Sequence, residues 1–125
     1  NVETVERLTP LIRSKAQYRR SLAVLEKAYS ITGGRIPVKS GIMVGMGETD
    51  DEVLQTIRDI RATGATFLTI GQYLPPSKEH WKLERYVEPA VFDSWAAYAK
   101  EIGFEHVNSG PLVRSSYYAE ELAKS

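Results

Sequence analysis

The stretch from Ile36 to Gly71 constrains the fold more than any other part of the chain. It reads IPVKSGIMV, then GMGETDDE, then a helical apolar pattern up to Thr63, then TFLTIG. The first run, residues 36–44, is rich in β-branched and apolar residues on both alternating positions, the pattern of a strand covered on both faces. Thr49 followed by Glu52 is a capping box, and Asp50 and Asp51 suit the positive end of a helix. That helix buries Val53, Leu54, Ile57 and Ile60, and Gly64 ends it. Residues 66–71 then predict a second strand. Strand, helix and strand in this order form a parallel unit with a right-handed crossover.

The flanks extend the alternation. Residues 3–13 predict a short helix disturbed at Pro10, with a short turn and a restart near Pro10 as the result, because proline is tolerated only in a first turn. Residues 17–31 predict a stronger helix with Tyr18, Leu22, Leu25 and Tyr29 on one stripe, closed by a left-handed cap at Gly33-Gly34. A long connection over 72–88 holds Pro75-Pro76. Pro89 suits a first helical turn, and Val91, Trp95, Tyr98 and Ile102 follow at helical spacing up to Gly103. Residues 104–108 predict a third strand, 109–116 a loop, and Tyr117 to Ala123 a terminal helix.

The expected class is therefore α/β, with the order α-α-β-α-β-α-β. A whole βα barrel needs roughly 200 residues or more, and this chain has 125. The expectation is half of a partial parallel βα (TIM-like) barrel over residues 1–108, followed by a C-terminal tail over 109–125. The opening on Asn1 rather than Met adds to the expectation of a longer parent chain. In such folds the loops after the strands carry the chemistry. Here these are residues 45–49, 71–77 and 109–117.

Composition narrows the chemistry. Lys plus Arg and Asp plus Glu are each 16, so the net charge is zero and a polyanionic partner such as nucleic acid is not favoured. No apolar run approaches the ~18 residues of a membrane span. The chain has no Cys, which excludes disulfides, thiolate catalysis and any cysteine-held metal within it. His80 and His106 are isolated from each other and from carboxylates at ligand spacing, so both read as structural or surface groups.

Each loop residue has two readings. Glu48 in GMGET could accept bonds from a ligand's hydroxyls or ammonium group, or be solvated in a simple strand-to-helix turn. Lys39, inside an apolar strand, could hold a ligand carboxylate or snorkel from the strand's start. Gln72 and Tyr73 suit an adenine or peptide contact, or packing beneath the long loop. Arg114-Ser115-Ser116-Tyr117 could supply a nucleophile, a metal ligand or a helix cap.

Taken together, NVETV (1–5), YRRSL (18–22), KSGIMVGMGETDDEV (39–53), LTIGQYLPPS (68–77), ERYVEP (84–89) and SGPLVRSSY (109–117) resemble the C-terminal half of the lipoyl synthases, which are radical S-adenosylmethionine enzymes. The resemblance covers essentially the whole chain, and GMGET, GQYLPPS and RSSY in this order are its most specific part.

The resemblance implies a partial parallel βα barrel of the radical S-adenosylmethionine type and two [4Fe–4S] clusters. One, held by a CxxxCxxC motif, cleaves S-adenosylmethionine to a radical that removes hydrogen from C6 and C8 of a protein-bound octanoyl chain. The other is sacrificed as the sulfur donor. Its fourth ligand is the serine before Tyr in RSSY, which matches Ser116, with Ser115 as the alternative and Arg114 as an electrostatic helper. Cluster iron is normally held by thiolate, so an oxygen ligand should leave more readily. Asn1 and Glu3 match the family's NxET element near the ribose and methionine ends of S-adenosylmethionine. Lys39 would reach its carboxylate, Glu48 would lie in the nearest loop, and Gln72, Tyr73 and Leu74 would lie near adenine.

Implied partners are an octanoylated lipoyl-carrier domain or H protein and an electron donor such as ferredoxin or flavodoxin, with no nucleic acid and no membrane. The implied compartment is a bacterial cytoplasm or a mitochondrial or plastid interior. The chain departs from the family in having no Cys, so the 125 residues alone are expected to be inactive. Two other readings are a biotin-synthase-like sulfur inserter and a cysteine-free module that binds the carrier domain.

Overall fold

The computed structural model describes residues 1–12 and 18–113. Its elements are α1 (Thr9–Ile12), α2 (Tyr18–Thr32), β1 (Lys39–Val44), α3 (Asp50–Ala62), β2 (Phe67–Gln72), α4 (Pro89–Glu101) and β3 (His106–Gly110). The strands form one parallel sheet in the order β1-β2-β3. Lys39 pairs with Phe67, and Phe67 with His106. This is an α/β architecture whose three-stranded parallel sheet is compatible with part of a βα barrel.

Side chains alternate across a strand, and the two faces of this sheet differ in kind. Ile42, Val44, Leu68 and Ile70 join Val53, Ile57, Ile60 and Phe92 in one buried apolar cluster. Phe92 is completely buried, with its ring edge-on to Trp95 at 5.7 Å between centroids. The second face carries Gly41, Met43, Thr69, Gly71, Asn108 and Gly110, mostly small or polar side chains in register across the three strands.

The helix ends follow the sequence signals. The Thr49 hydroxyl accepts from the Glu52 N–H and the Glu52 carboxylate accepts from the Thr49 N–H, so the capping box is complete. Pro89 opens α4, where its missing N–H has no helical partner to lose.

Three expectations are corrected. Residues 3–8 are not helical, although the expected turn and restart near Pro10 is present, as a turn over 6–8 and a helix from Thr9. Among the described residues of this stretch Thr9–Ile12 is helical, with Pro10 in its first turn. Glu3 instead lies beside β1: its N–H donates to the Gly41 carbonyl at 3.0 Å, and its carbonyl accepts from the Met43 N–H at 2.8 Å. The β1 edge has unpaired backbone groups that a helix could not satisfy, and the Val2–Val5 segment meets them.

The third strand is displaced from 104–108 to His106–Gly110. Phe104 is drawn into the core just after the left-handed Gly103, so pairing begins only where Glu105 and His106 donate to the Thr66 carbonyl. Tyr29 is 42% exposed and closes over Gly34 and Gly64 instead of joining the core stripe. The helix expected at Tyr117 to Ala123 lies outside the described residues.

Candidate functional site

Because all three strands are parallel, the loops that follow them emerge at one end of the sheet. The first turns on Gly45 and Gly47, both left-handed (φ 100° and 112°). Glu48 is neither solvated nor open to a ligand. It is 5% exposed, and its carboxylate accepts the Gly45 N–H at 3.1 and 3.0 Å and the Met46 N–H at 3.0 Å. The Arg85 guanidinium stands 3.9 Å from it and 3.0 Å from Asp50.

Gln72 ends β2 and is 2% exposed. Its amide donates to the carbonyls of Tyr73 and Arg85, both at 3.0 Å, and accepts the Val87 N–H at 2.8 Å. The Tyr73 hydroxyl donates to the Trp81 carbonyl at 2.6 Å, and burial raises the pKa of this phenol. The Trp81 indole N–H donates to the Met46 carbonyl at 2.8 Å. Glu84 N–H and Arg85 N–H both donate to the Gly45 carbonyl, at 2.8 and 3.3 Å. Residues 73–88 are thus a strap laced onto the GMGET loop.

Trp81 and Arg85 are the residues that sequence reasoning missed. A lone tryptophan in a polar connection was the available signal for the first, and nothing local marked the second. Beside the strap lies a groove of about 680 Å³, lined by Leu11, Tyr73, Pro76, His80, Trp81 and Lys82 among others. His80 is tied to Ser77 through Nδ1 at 2.7 Å.

The structure therefore brings Glu48, Gln72 and Tyr73 together. Leu74 follows them and is 43% exposed. Glu3 sits beside Gly41–Met43, in a left-handed conformation (φ 79°) that is uncommon for a residue other than glycine. Asn1 is two residues away and exposed. Next to Glu3, the Thr4 hydroxyl is buried with no partner among the described residues. A buried orphan of this kind suits a bound polar ligand or a further piece of protein. Lys39 is not in this cluster. It begins β1, roughly 16 Å from Val44 at about 3.3 Å per strand residue, and burial lowers its pKa. Arg114, Ser115 and Ser116 lie outside the described residues.

Glu52 has a second duty besides capping α3. Its carboxylate receives the Arg7 guanidinium at 2.8 and 3.0 Å, and Arg7 also donates to the Gly47 carbonyl at 3.0 Å. Arg7 is the main reason that the Glu52 pKa falls to about 2. A depressed folded-state pKa contributes stability that is present above the ordinary carboxylate value and is lost as pH falls toward about 2. Glu52→Gln keeps an oxygen to accept the Thr49 N–H and removes the charge that Arg7 meets, so a small loss of stability is expected near neutral pH. It should also flatten the acid limb of the stability curve, as read by circular dichroism of the metal-free protein during acid titration. An unchanged acid limb would show that Arg7 and Glu52 are not coupled in solution.

Among the described residues, no group of three or more His, Cys, Asp or Glu could hold a metal ion. The whole chain has no Cys, so these residues do not by themselves fit an iron–sulfur cluster, which needs thiolates. No described helix is long and apolar enough to cross a membrane.

A parallel α/β sheet with apolar packing on one face, small residues on the other and braced polar loops at its carboxyl end defines the class: a βα-repeat protein with its candidate site at the strand ends. No protein-family model matches the sequence. Curated relatives do. The chain is 55% identical over 124 residues to the lipoyl synthase of Caldicellulosiruptor saccharolyticus, covering 99% of this chain and 43% of that protein. It is 53% identical over 122 residues to the mitochondrial lipoyl synthase of Candida albicans, covering 97% and 31%. For the lipoyl synthase of Chlorobium limicola the figures are 50% over 122 residues, 98% and 41%. The chain spans less than half the length of these relatives. It belongs to the lipoyl synthase family.

Proposed function

We propose that the protein carrying this chain is a lipoyl synthase that inserts two sulfur atoms, at C6 and C8, into a protein-bound octanoyl chain. The observation that carries this reading is the match of nearly the whole chain, at about half identity, to lipoyl synthases. The loops after β1 and β2, and the described start of the chain after β3, also follow parallel strands and leave one end of the sheet. When bound, S-adenosylmethionine and two [4Fe–4S] clusters supply the radical and the sulfur. All cysteine ligands come from outside these 125 residues.

In this reading residues 1–108 are half of a partial βα barrel and 109–125 a tail. Ser116, or Ser115 in its place, offers an oxygen ligand to the sulfur-donating cluster, with Arg114 beside it in sequence. Asn1, Glu3 and the Thr4 hydroxyl, which has no partner among the described residues, border S-adenosylmethionine, and Tyr73 and Leu74 line the adenine side. Glu48 and Gln72 act through the backbone they hold, and Lys39 contributes from the far end of β1. The partners are an octanoylated lipoyl-carrier domain or H protein and a ferredoxin- or flavodoxin-type donor. Bacterial and mitochondrial relatives are both present, and a bacterial cytoplasm is the compartment we favour over a mitochondrial or plastid one.

An anaerobic assay of the intact, cluster-loaded protein decides the substrate. With octanoylated carrier protein, mass spectrometry should show a product that has gained two sulfur atoms and lost two hydrogens. Sulfur insertion into dethiobiotin, with none into the octanoyl carrier, would overturn the reading in favour of a biotin-synthase-like enzyme. Carrier binding with no turnover would favour a binding module.

A further inference from the structure

Gly71 lies on the second face of the sheet, in register with Met43 on one side and Gly110 on the other. Its φ is not positive, so the strand would accept any residue there on backbone grounds. The constraint is space. A Cβ on Gly71 would run into the Val113 carbonyl oxygen, closer than a real Cβ approaches backbone, with the Val113 carbonyl carbon at 3.3 Å and the Met43 sulfur at 3.4 Å. The Val113 N–H donates to the Gly110 carbonyl at 3.2 Å, a tight turn that folds the chain after β3 back over β2. Gly110, on the same face of the next strand, is different: its added Cβ would meet only the Val113 Cγ2, at an ordinary 3.8 Å.

We infer that Gly71 is a positioning residue. Its bare backbone seats the Val113 carbonyl on the sheet and so fixes the point from which the chain beyond Val113 departs. Three residues of chain reach at most about 11 Å, so Ser116 is tethered to this seat. The consequence for sulfur insertion rests on the reading of Ser116 as a cluster ligand. The seat itself rests only on the contact of Gly71 with the Val113 carbonyl, and Gly110 enters it only through its backbone carbonyl, which an alanine keeps.

The test uses the intact, cluster-loaded enzyme with Gly71→Ala, and with Gly110→Ala as the matched control. Alanine at 71 forces the carbonyl back by about 1 Å before contact becomes ordinary. A displacement of that size in a positioned group costs on the order of 100-fold in rate. Lipoyl formation should fall by about that factor while reductive cleavage of S-adenosylmethionine continues. Amide hydrogen exchange in a peptide covering 110–125 should speed up at least about tenfold, with the α3 peptide unchanged. Gly110→Ala should alter neither.

A melting cycle covers the case in which Gly71→Ala folds poorly. The loss in Tm should vanish when the chain is also truncated after Pro111, because the clashing carbonyl is gone. Unchanged exchange with unchanged melting, or a loss that persists after truncation, would overturn the inference. If Gly71→Ala loosens the tail yet Ser116→Ala makes lipoyl product at the normal rate, the seat stands and the ligand reading of Ser116 falls.

Discussion

Ser116→Ala in the intact, cluster-loaded enzyme is expected to abolish lipoyl formation and to leave reductive cleavage of S-adenosylmethionine running. That split is the largest effect the account predicts. Supporting groups one layer out from a metal already cost 10–100-fold when removed, so losing a direct ligand should exceed about 100-fold. On the proposed reading the split would follow from a division of labour between clusters: a cysteine motif outside these 125 residues would serve cofactor cleavage, and Ser116 would serve only the sulfur-donating step. Ser115→Ala is the control and should retain most activity. The measurement is anaerobic turnover with separate quantitation of lipoyl product and cofactor cleavage. Full lipoyl formation by Ser116→Ala would refute the ligand role, and loss only in Ser115→Ala would move it one residue back.

The second large effect concerns the backbone of the GMGET loop. Gly45→Ala is expected to destabilise the protein by about 2–4 kcal/mol, the sum of left-handed strain and overpacking at one position. Gly45 has φ 100°, and a Cβ there would strike both the Gln72 amide nitrogen and the Arg85 carbonyl. Relief of that clash would break the bonds from Glu84 and Arg85 to the Gly45 carbonyl and release the strap. Gly47 supplies the comparison, since it is equally left-handed (φ 112°) but its Cβ would meet only the Glu84 side chain at 3.4 Å. Gly47→Ala should therefore cost about 1–2 kcal/mol, from backbone strain alone. Urea unfolding of the two variants against the parent measures the difference. Equal losses would show that Gln72 and Arg85 do not crowd Gly45 in solution.

The parts that were legible in the sequence are those decided by neighbours along the chain. The Thr49–Glu52 box, Pro89 at the start of α4 and the apolar stripe of α3 each depend on residues within one or two turns, and each stands as read except that Leu54 is only partly buried. The misreadings share a cause, which is a partner far away in sequence. Glu3 leaves the helical pattern because β1, some forty residues on, has edge groups to satisfy. β3 starts late because Phe104 is captured by the core before pairing can begin. At the site, the two readings of Glu48 weighed a ligand against solvent. The structure chooses a third, the loop's own N–H groups. Gln72 likewise spends its amide on backbone thirteen and fifteen residues away. A buried polar side chain takes the nearest unmet backbone group, and the identity of that group is set only by the folded loop.

The most direct measurement of the account is a crystal structure of the intact holoenzyme with S-adenosylmethionine bound. The account predicts that the cofactor lies against the strand ends beside Gly45–Glu48 and Tyr73, that the Val113 carbonyl rests on Gly71, and that the Ser116 oxygen is within bonding distance of a cluster iron. A cofactor bound elsewhere, or a Ser116 hydroxyl turned away from any iron, would contradict it.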